Sequence, residues 1–180
     1  MCDVLILPGL WNSGPRHWQS LWHERNPHWQ RAMHRDWTNP RQDEWVAELD
    51  AAIAECSGAP ILVAHSLGCM LVAHWARSQS PLKVAGAFLV APSDVEAASY
   101  PADLNGWAPI PLHPLPFPSV VVGSANDPFA QPERTSAFAD AWGSRLVELG
   151  DAGHLNTESG HGDWPEGLRL LEAFCAEVAG

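Results

Sequence analysis

The chain is short of positive charge. Ten Lys and Arg stand against 21 Asp and Glu in 180 residues, a formal net charge of −11. So few cations make no basic face for a phosphate backbone, which argues against nucleic acid as a partner. Charged residues are 17% of the whole and apolar ones 46%, the balance of a folded globule. Cysteine is scarce as well. Cys2, Cys56, Cys69 and Cys175 form no C-x-x-C pair, so buried thiols are expected and a disulfide framework or zinc knuckle is not. No apolar run approaches the roughly 20 residues of a membrane span. The start Met1-Cys2-Asp3 also lacks the basic opening of a signal peptide. The expectation is a cytoplasmic protein, one domain over 1–180, with no membrane partner. One tyrosine accompanies ten tryptophans, whose rings can fill a core or line a pocket.

What is present is a regular alternation. Continuously apolar runs of strand length recur at 4–7, 60–65, 84–90, 119–122 and 145–149, with a more polar edge candidate at 29–34. Helical patterns lie between them. Pro15 opens one with Trp18, Leu21 and Trp22 on a face, and 41–55 carries Trp45, Leu49, Ala52 and Ile53. Others follow Ser66 to about 77, cover 129–142, and cover 165–178 with Leu168, Leu171, Ala173, Phe174 and Val178 towards the core. Residues 91–118 hold seven prolines, too many for regular helix or a central strand, and are read as an extended loop. The alternation predicts an α/β fold: a three-layer α/β/α sandwich around a mainly parallel sheet of roughly six strands. Such sheets bind ligands beyond the carboxyl ends of their strands.

The stretch Ala64-His65-Ser66-Leu67-Gly68 follows the third strand and opens a helix at once. This is the pattern of a nucleophile elbow, with Ala64 in place of the usual first glycine. Positions flanking so tight a turn must be small, which a methyl group still satisfies. A serine hydroxyl attacks only when a base takes its proton, so it must stand where a histidine reaches it. The same turn aims the Leu67 amide at the space where an attacked carbonyl builds negative charge. The competing reading of Ser66 is a plain helix cap.

The other loops decide between them. Asp127 stands before Pro128 in the turn after the fifth strand, and His154 lies in a glycine-bearing loop after the sixth. Alone, Asp127 reads as a cap and His154 as a loop brace. Serine, aspartate and histidine in that chain order, each after a different strand, form the triad order of an α/β-hydrolase. Asp94, after the fourth strand, is a rival acid ranked behind Asp127, and Asp151 reads as a turn residue. His65 points away from the nucleophile and is not taken as the base. His17, His23, His28 and His34 lack the spacing that sets metal ligands on one helix face, so no metal is expected. Nothing marks Cys69, one helical turn after Ser66, as reactive. The second oxyanion donor belongs to the loop after the first strand, where the Leu10 amide is the candidate and Trp11 the next.

These stretches belong to a wider likeness. Leu7-Pro8-Gly9, Asn12-Ser13-Gly14-Pro15-Arg16-His17-Trp18-Gln19 and the serine motif are joined by Ser124-Ala125-Asn126-Asp127-Pro128 and Gly153-His154-Leu155-Asn156. Ser159-Gly160-His161-Gly162-Asp163-Trp164-Pro165 completes the set. Together they resemble the small serine hydrolases related to retinoblastoma-binding protein 9, a compact branch of the α/β-hydrolase superfamily. The resemblance implies a Ser66–Asp127–His154 triad, a compact sheet without a separate lid domain, and Ala64 as an ordinary variant. It implies hydrolysis of esters or small amides and, for some members, protein binding. The expectation is a cofactor-free serine hydrolase acting through an acyl-enzyme on a small-molecule ester or activated amide. It is carboxylesterase-like, with peptidase and thioesterase activity as alternatives within the class. The reading from another class is a hydrolase scaffold serving as an interaction module for a protein partner. The proline-rich loop, Trp11 and Trp107 are expected to shape the pocket.

Overall fold

The computed structural model describes residues 3–100 and 106–180; Cys2 and Pro101 lie outside them. Among the described residues six strands form one sheet: β1 (Val4–Leu7), β2 (Gln30–Arg31), β3 (Ile61–His65), β4 (Gly86–Val90), β5 (Ser119–Gly123) and β6 (Arg145–Glu148). They lie in the order β2-β1-β3-β4-β5-β6, and every neighbouring pair is parallel. The helices are α1 (Trp18–Arg25), α2 (Gln42–Ala54), α3 (Leu67–Arg77), α4 (Pro132–Trp142) and α5 (Pro165–Ala179).

The strands read as unbroken apolar runs because both faces of the sheet are covered. Alternate side chains enter two separate apolar clusters. Leu5, Leu7, Leu62, Ala64 and Leu89 pack with Trp45 and Leu49 of α2, Met70 of α3 and Phe138 of α4. Val4, Ile6, Val63, Phe88 and Val90 pack with Trp18 and Trp22 of α1 and Leu171 and Phe174 of α5. This is the three-layer α/β/α sandwich, with the carboxyl ends of all six strands at one edge.

Element ends depart from the sequence expectation. The helix expected from 129 starts at Pro132, because Asp127 organises the preceding turn by accepting the Phe129 amide at 2.9 Å. The polar second strand shrinks to two residues at the sheet edge, where it has no core face to offer. Ala173 is exposed, and Leu171 and Phe174 carry the core face of α5.

Five of the ten tryptophans (Trp18, Trp22, Trp45, Trp107 and Trp142) are fully buried. Each donates its indole N–H to a carbonyl, of Leu155, Asp163, Asp36, Pro40 and Pro111 in turn. Burying an indole with its N–H satisfied stabilises a fold by roughly 3–5 kcal/mol. These bonds also pin loops over the ends of the sheet. Trp107 works here and not in the pocket, contrary to the expectation. Among the described residues no helix is long and apolar enough to cross a membrane.

Candidate active site

Ser66 follows β3 with φ 57° and ψ −123°, a conformation that costs a non-glycine residue roughly 1–3 kcal/mol. The surroundings hold it there. Its N–H donates to Val90 O at 3.0 Å, and its carbonyl accepts the Cys69 amide at 2.9 Å. Gly68 meets β1 so closely that a Cβ would lie 2.5 Å from Leu7 O. On the other side, a Cβ on Gly9 would lie 2.9 Å from Ser66 Cβ. The two glycines therefore let the loop after β1 and the start of α3 close on the elbow. Although Ser66 stands at the N-terminus of α3, its side chain makes no capping bond.

The hydroxyl is used elsewhere. Ser66 Oγ lies 2.9 Å from His154 Nε2, and His154 Nδ1 lies 2.9 Å from each oxygen of the Asp127 carboxylate. All three side chains are buried. The loops that carry them brace one another across the sheet end. Asn126 Oδ1 accepts the Gly153 amide at 2.7 Å, and Ser124 Oγ accepts the Ala152 amide at 3.0 Å. Behind the histidine, Trp18 donates to Leu155 O at 2.8 Å and His65 Nε2–H donates to His154 O at 2.9 Å. An ionised carboxylate accepts only, so Nδ1 carries the imidazole proton and Nε2 presents a lone pair to Ser66. The arrangement can pass the hydroxyl proton to the ring.

The remaining candidates are placed elsewhere. Asp94 is held by Arg134 through bonds of 2.8 and 3.0 Å, and the carboxylate on the imidazole is that of Asp127. Asp151 is an exposed turn residue. His65 lies beneath His154, ring centroids 4.8 Å apart, with its pKa held well below the ordinary value by burial. His17 accepts the Gln19 amide at the start of α1, and His23 bonds to Trp29 O. His28 lies edge-on to Trp29, and His34 stacks on Trp45. Among the described residues no group of histidines, cysteines and carboxylates is arranged to hold a metal. Burial pushes the Cys69 thiol well above its ordinary pKa, which keeps it protonated and inert.

A cavity of about 460 Å³ opens above Ser66 and His154. Leu10, Trp11, Phe129, Asn156 and Glu158 are among its walls. Trp11 is 70% exposed at its rim, and the Phe129 ring stands edge-on to His154 at 4.6 Å. Leu10 borders the same space, and the Leu67 amide nitrogen would lie 3.2 Å from a Cβ on Gly9, another of its walls; neither amide donates to a protein acceptor among the described residues. Sequence reasoning missed Phe129, although it stands two residues after Asp127. It also missed Ser93, in the described part of the proline-rich loop, whose Oγ lies 2.7 Å from Ser66 Oγ. Among its described residues that loop supplies no wall of the cavity, again contrary to expectation.

Comparison with known proteins agrees with this architecture. Residues 4–173 match the serine hydrolase family. A protein described as a YdeN-like hydrolase from Pectobacterium atrosepticum is 34% identical, over 99% of this chain and 92% of its own, with a TM-score of 0.87. The ydeN gene product of Bacillus subtilis is 18% identical over 98% of this chain and 100% of its own, with a TM-score of 0.77. A thermophilic esterase from Thermogutta terrifontis is 17% identical over 99% and 90%, with a TM-score of 0.70. These last two share the fold. No protein of curated function matches the sequence. With the family match running from β1 into α5 and a third of its residues shared with a relative aligned end to end, the chain belongs to the serine hydrolase family.

Proposed function

We propose that the protein hydrolyses a small carboxylic ester through an acyl-enzyme on Ser66. The observation that carries this is the hydrogen-bonded series Ser66–His154–Asp127 at the floor of a ligand-sized cavity. His154 takes the Ser66 proton as Oγ attacks the carbonyl carbon. Asp127 orients the ring and stabilises its protonated form. The tetrahedral oxyanion is received by the Leu67 and Leu10 amides, and losing one such donor typically costs roughly 2.7–4 kcal/mol. His154 then protonates the leaving alcohol, and water releases the acyl group by the reverse roles. No cofactor enters this sequence.

Leu10, Trp11 and Phe129 give the cavity apolar walls, which favours an uncharged acyl or alcohol portion. The esterase from Thermogutta terrifontis supports the ester class through shared fold only. Within the family, we infer kinship with retinoblastoma-binding protein 9 from the His17-Trp18-Gln19 and Ser159–Pro165 stretches. The cytoplasmic setting rests on the same reading. The test is labelling with a fluorophosphonate probe, mapped by peptide mass. One adduct on Ser66, absent from Ser66→Ala, is the expected result. A folded wild-type protein that takes no label would sink the proposal.

A further inference from the structure

Ser66 has a second partner that the mechanism above leaves idle. Ser93 Oγ lies 2.7 Å from Ser66 Oγ, and the Ser93 residue has no solvent exposure. It sits just past the carboxyl end of β4, on the opposite side of β3 from the loop after β1. Its loop is held firmly on both sides. The Ala91 amide donates to Val122 O at 2.9 Å, the Asp94 amide to Phe129 O at 2.9 Å, and Arg134 clamps the Asp94 carboxylate. Ala91 takes a left-handed φ of 48° to turn the chain there.

Counting protons settles the direction of the serine–serine bond. Asp127 accepts the Nδ1 proton, so Nε2 must accept from Ser66. The single hydroxyl proton of Ser66 is then committed to His154. Ser66 Oγ can only accept from Ser93, and Ser93 must be the donor. Beyond it the buried Tyr100 hydroxyl interacts with the Ser93 side chain. Burial pushes the Tyr100 pKa up to about 12, so the phenol stays protonated at neutral pH.

Resting on the triad reading above, we propose that Ser93 is a further catalytic residue, donating a hydrogen bond to Ser66 Oγ that strengthens whenever that oxygen carries negative charge. In acylation the Ser66 O–H bond breaks, its proton passes to His154 Nε2 and the Oγ–carbon bond forms. Ser93 keeps its own proton throughout and offsets the charge gathering on Oγ. In the acyl-enzyme Oγ is an ester oxygen and a poorer acceptor, so the bond slackens. In deacylation the carbon–Oγ bond breaks, the electron pair returns to Oγ, and His154 returns a proton to it. Ser93 assists that departure as it assisted the attack. Because Ser93 is no wall of the cavity, the effect falls on kcat and not on KM.

The experiment compares wild type, Ser93→Ala, Ser93→Cys and Tyr100→Phe. It measures fluorophosphonate inactivation rate, kcat and KM for an activated ester, and Tm. Hydrogen bonds to charged groups are the strong ones, so Ser93→Ala should slow both inactivation and kcat by roughly 10- to 100-fold with KM unchanged. Ser93→Cys, which keeps the volume but offers a weak donor, should fall close to Ser93→Ala; if alanine prevents folding, cysteine carries the test. Tyr100→Phe should slow kcat by a few-fold, the smaller effect of a positioning residue. Wild-type kcat and inactivation rate in a folded Ser93 variant would overturn the proposal. So would a loss shared equally between kcat and KM with a depressed Tm, which marks packing. Absence of any Ser66 adduct in wild type would instead overturn the triad reading itself, so the two failures are told apart.

Discussion

Two buried histidines in this molecule hold a carboxylate by Nδ1, and they have different uses. His154 meets Asp127 at 2.9 Å, and His34 meets Glu48 at 2.7 Å. Judged by that contact alone they are the same device. The far nitrogen separates them. His154 Nε2 faces Ser66 Oγ beneath the cavity, whereas His34 Nε2 is buried with no hydrogen-bond partner among the described residues. The His34 ring lies flat on Trp45, centroids 3.8 Å apart and planes 2° from parallel. Burial lowers the His34 pKa in spite of Glu48 beside it, so the ring stays neutral and behaves as part of the aromatic core. A histidine–carboxylate pair is therefore a base only where its second nitrogen meets a proton worth taking.

Truncating each ring breaks the comparison most sharply. On the proposed mechanism, His154→Ala should lower kcat by roughly 10⁴- to 10⁶-fold. His34→Ala should leave kcat within about twofold but lose roughly 2–4 kcal/mol of stability in urea unfolding, as large-to-small core changes do. A folded His34→Ala protein without turnover would erase the distinction. The carboxylates follow in size. Asp127→Asn replaces an acceptor with an amide that can donate to Nδ1, favours the wrong tautomer, and should cost kcat roughly 10⁴-fold. Glu48→Gln should cost roughly 1–2 kcal/mol of stability, with kcat unchanged. Steady-state rates beside denaturant titrations on the four proteins check both pairs.

The convergence of Ser66, Asp127 and His154 is legible in the sequence because it rests on local signals and one topological rule. Apolar strand runs, a small-residue turn and an immediate helix are short-range patterns, and parallel sheets bring all post-strand loops to one edge. What lies sideways between loops is not legible. Ser93 meets Ser66 only because β4 pairs with β3 in one register, Val90 opposite His65, which sets the height at which its loop arrives. Phe129 reaches the cavity because Asp127 spends an oxygen on its amide and delays α4 by three residues. Trp107 reads as a pocket residue until its loop is seen folding back to reach Pro40 O and to set its ring perpendicular to those of Trp45 and His74. The Ser93 and Trp107 contacts join segments far apart in the chain, and the Phe129 turn, though local, is set by a carboxylate whose other duty is to a histidine 27 residues on, so no local pattern stands for any of them.

His17 sharpens the comparison from a third side, with the smallest effect. Like His34 it is buried with Nε2 unpartnered among the described residues, but it has no carboxylate. Its Nδ1 accepts the Gln19 amide at 3.2 Å, so a lone pair is already spent on starting α1. Burial first, then the Arg31 and His154 charges, push its pKa down from 6.5 to about 3. The unfolded chain therefore binds this proton more readily than the folded one. Stability is full above pH 6.5 and falls as pH drops from there towards 3. One such group contributes a slope of roughly 1.4 kcal/mol per pH unit across the window. His17→Asn keeps an acceptor for the Gln19 amide and removes the titration. Between pH 6 and 4 its unfolding free energy should fall less steeply than wild type's by about that slope, read from urea curves at each pH. Equal slopes would mean that the folded protein accepts a proton on this ring without loss, and that an unpartnered nitrogen does not by itself mark a histidine kept neutral for packing.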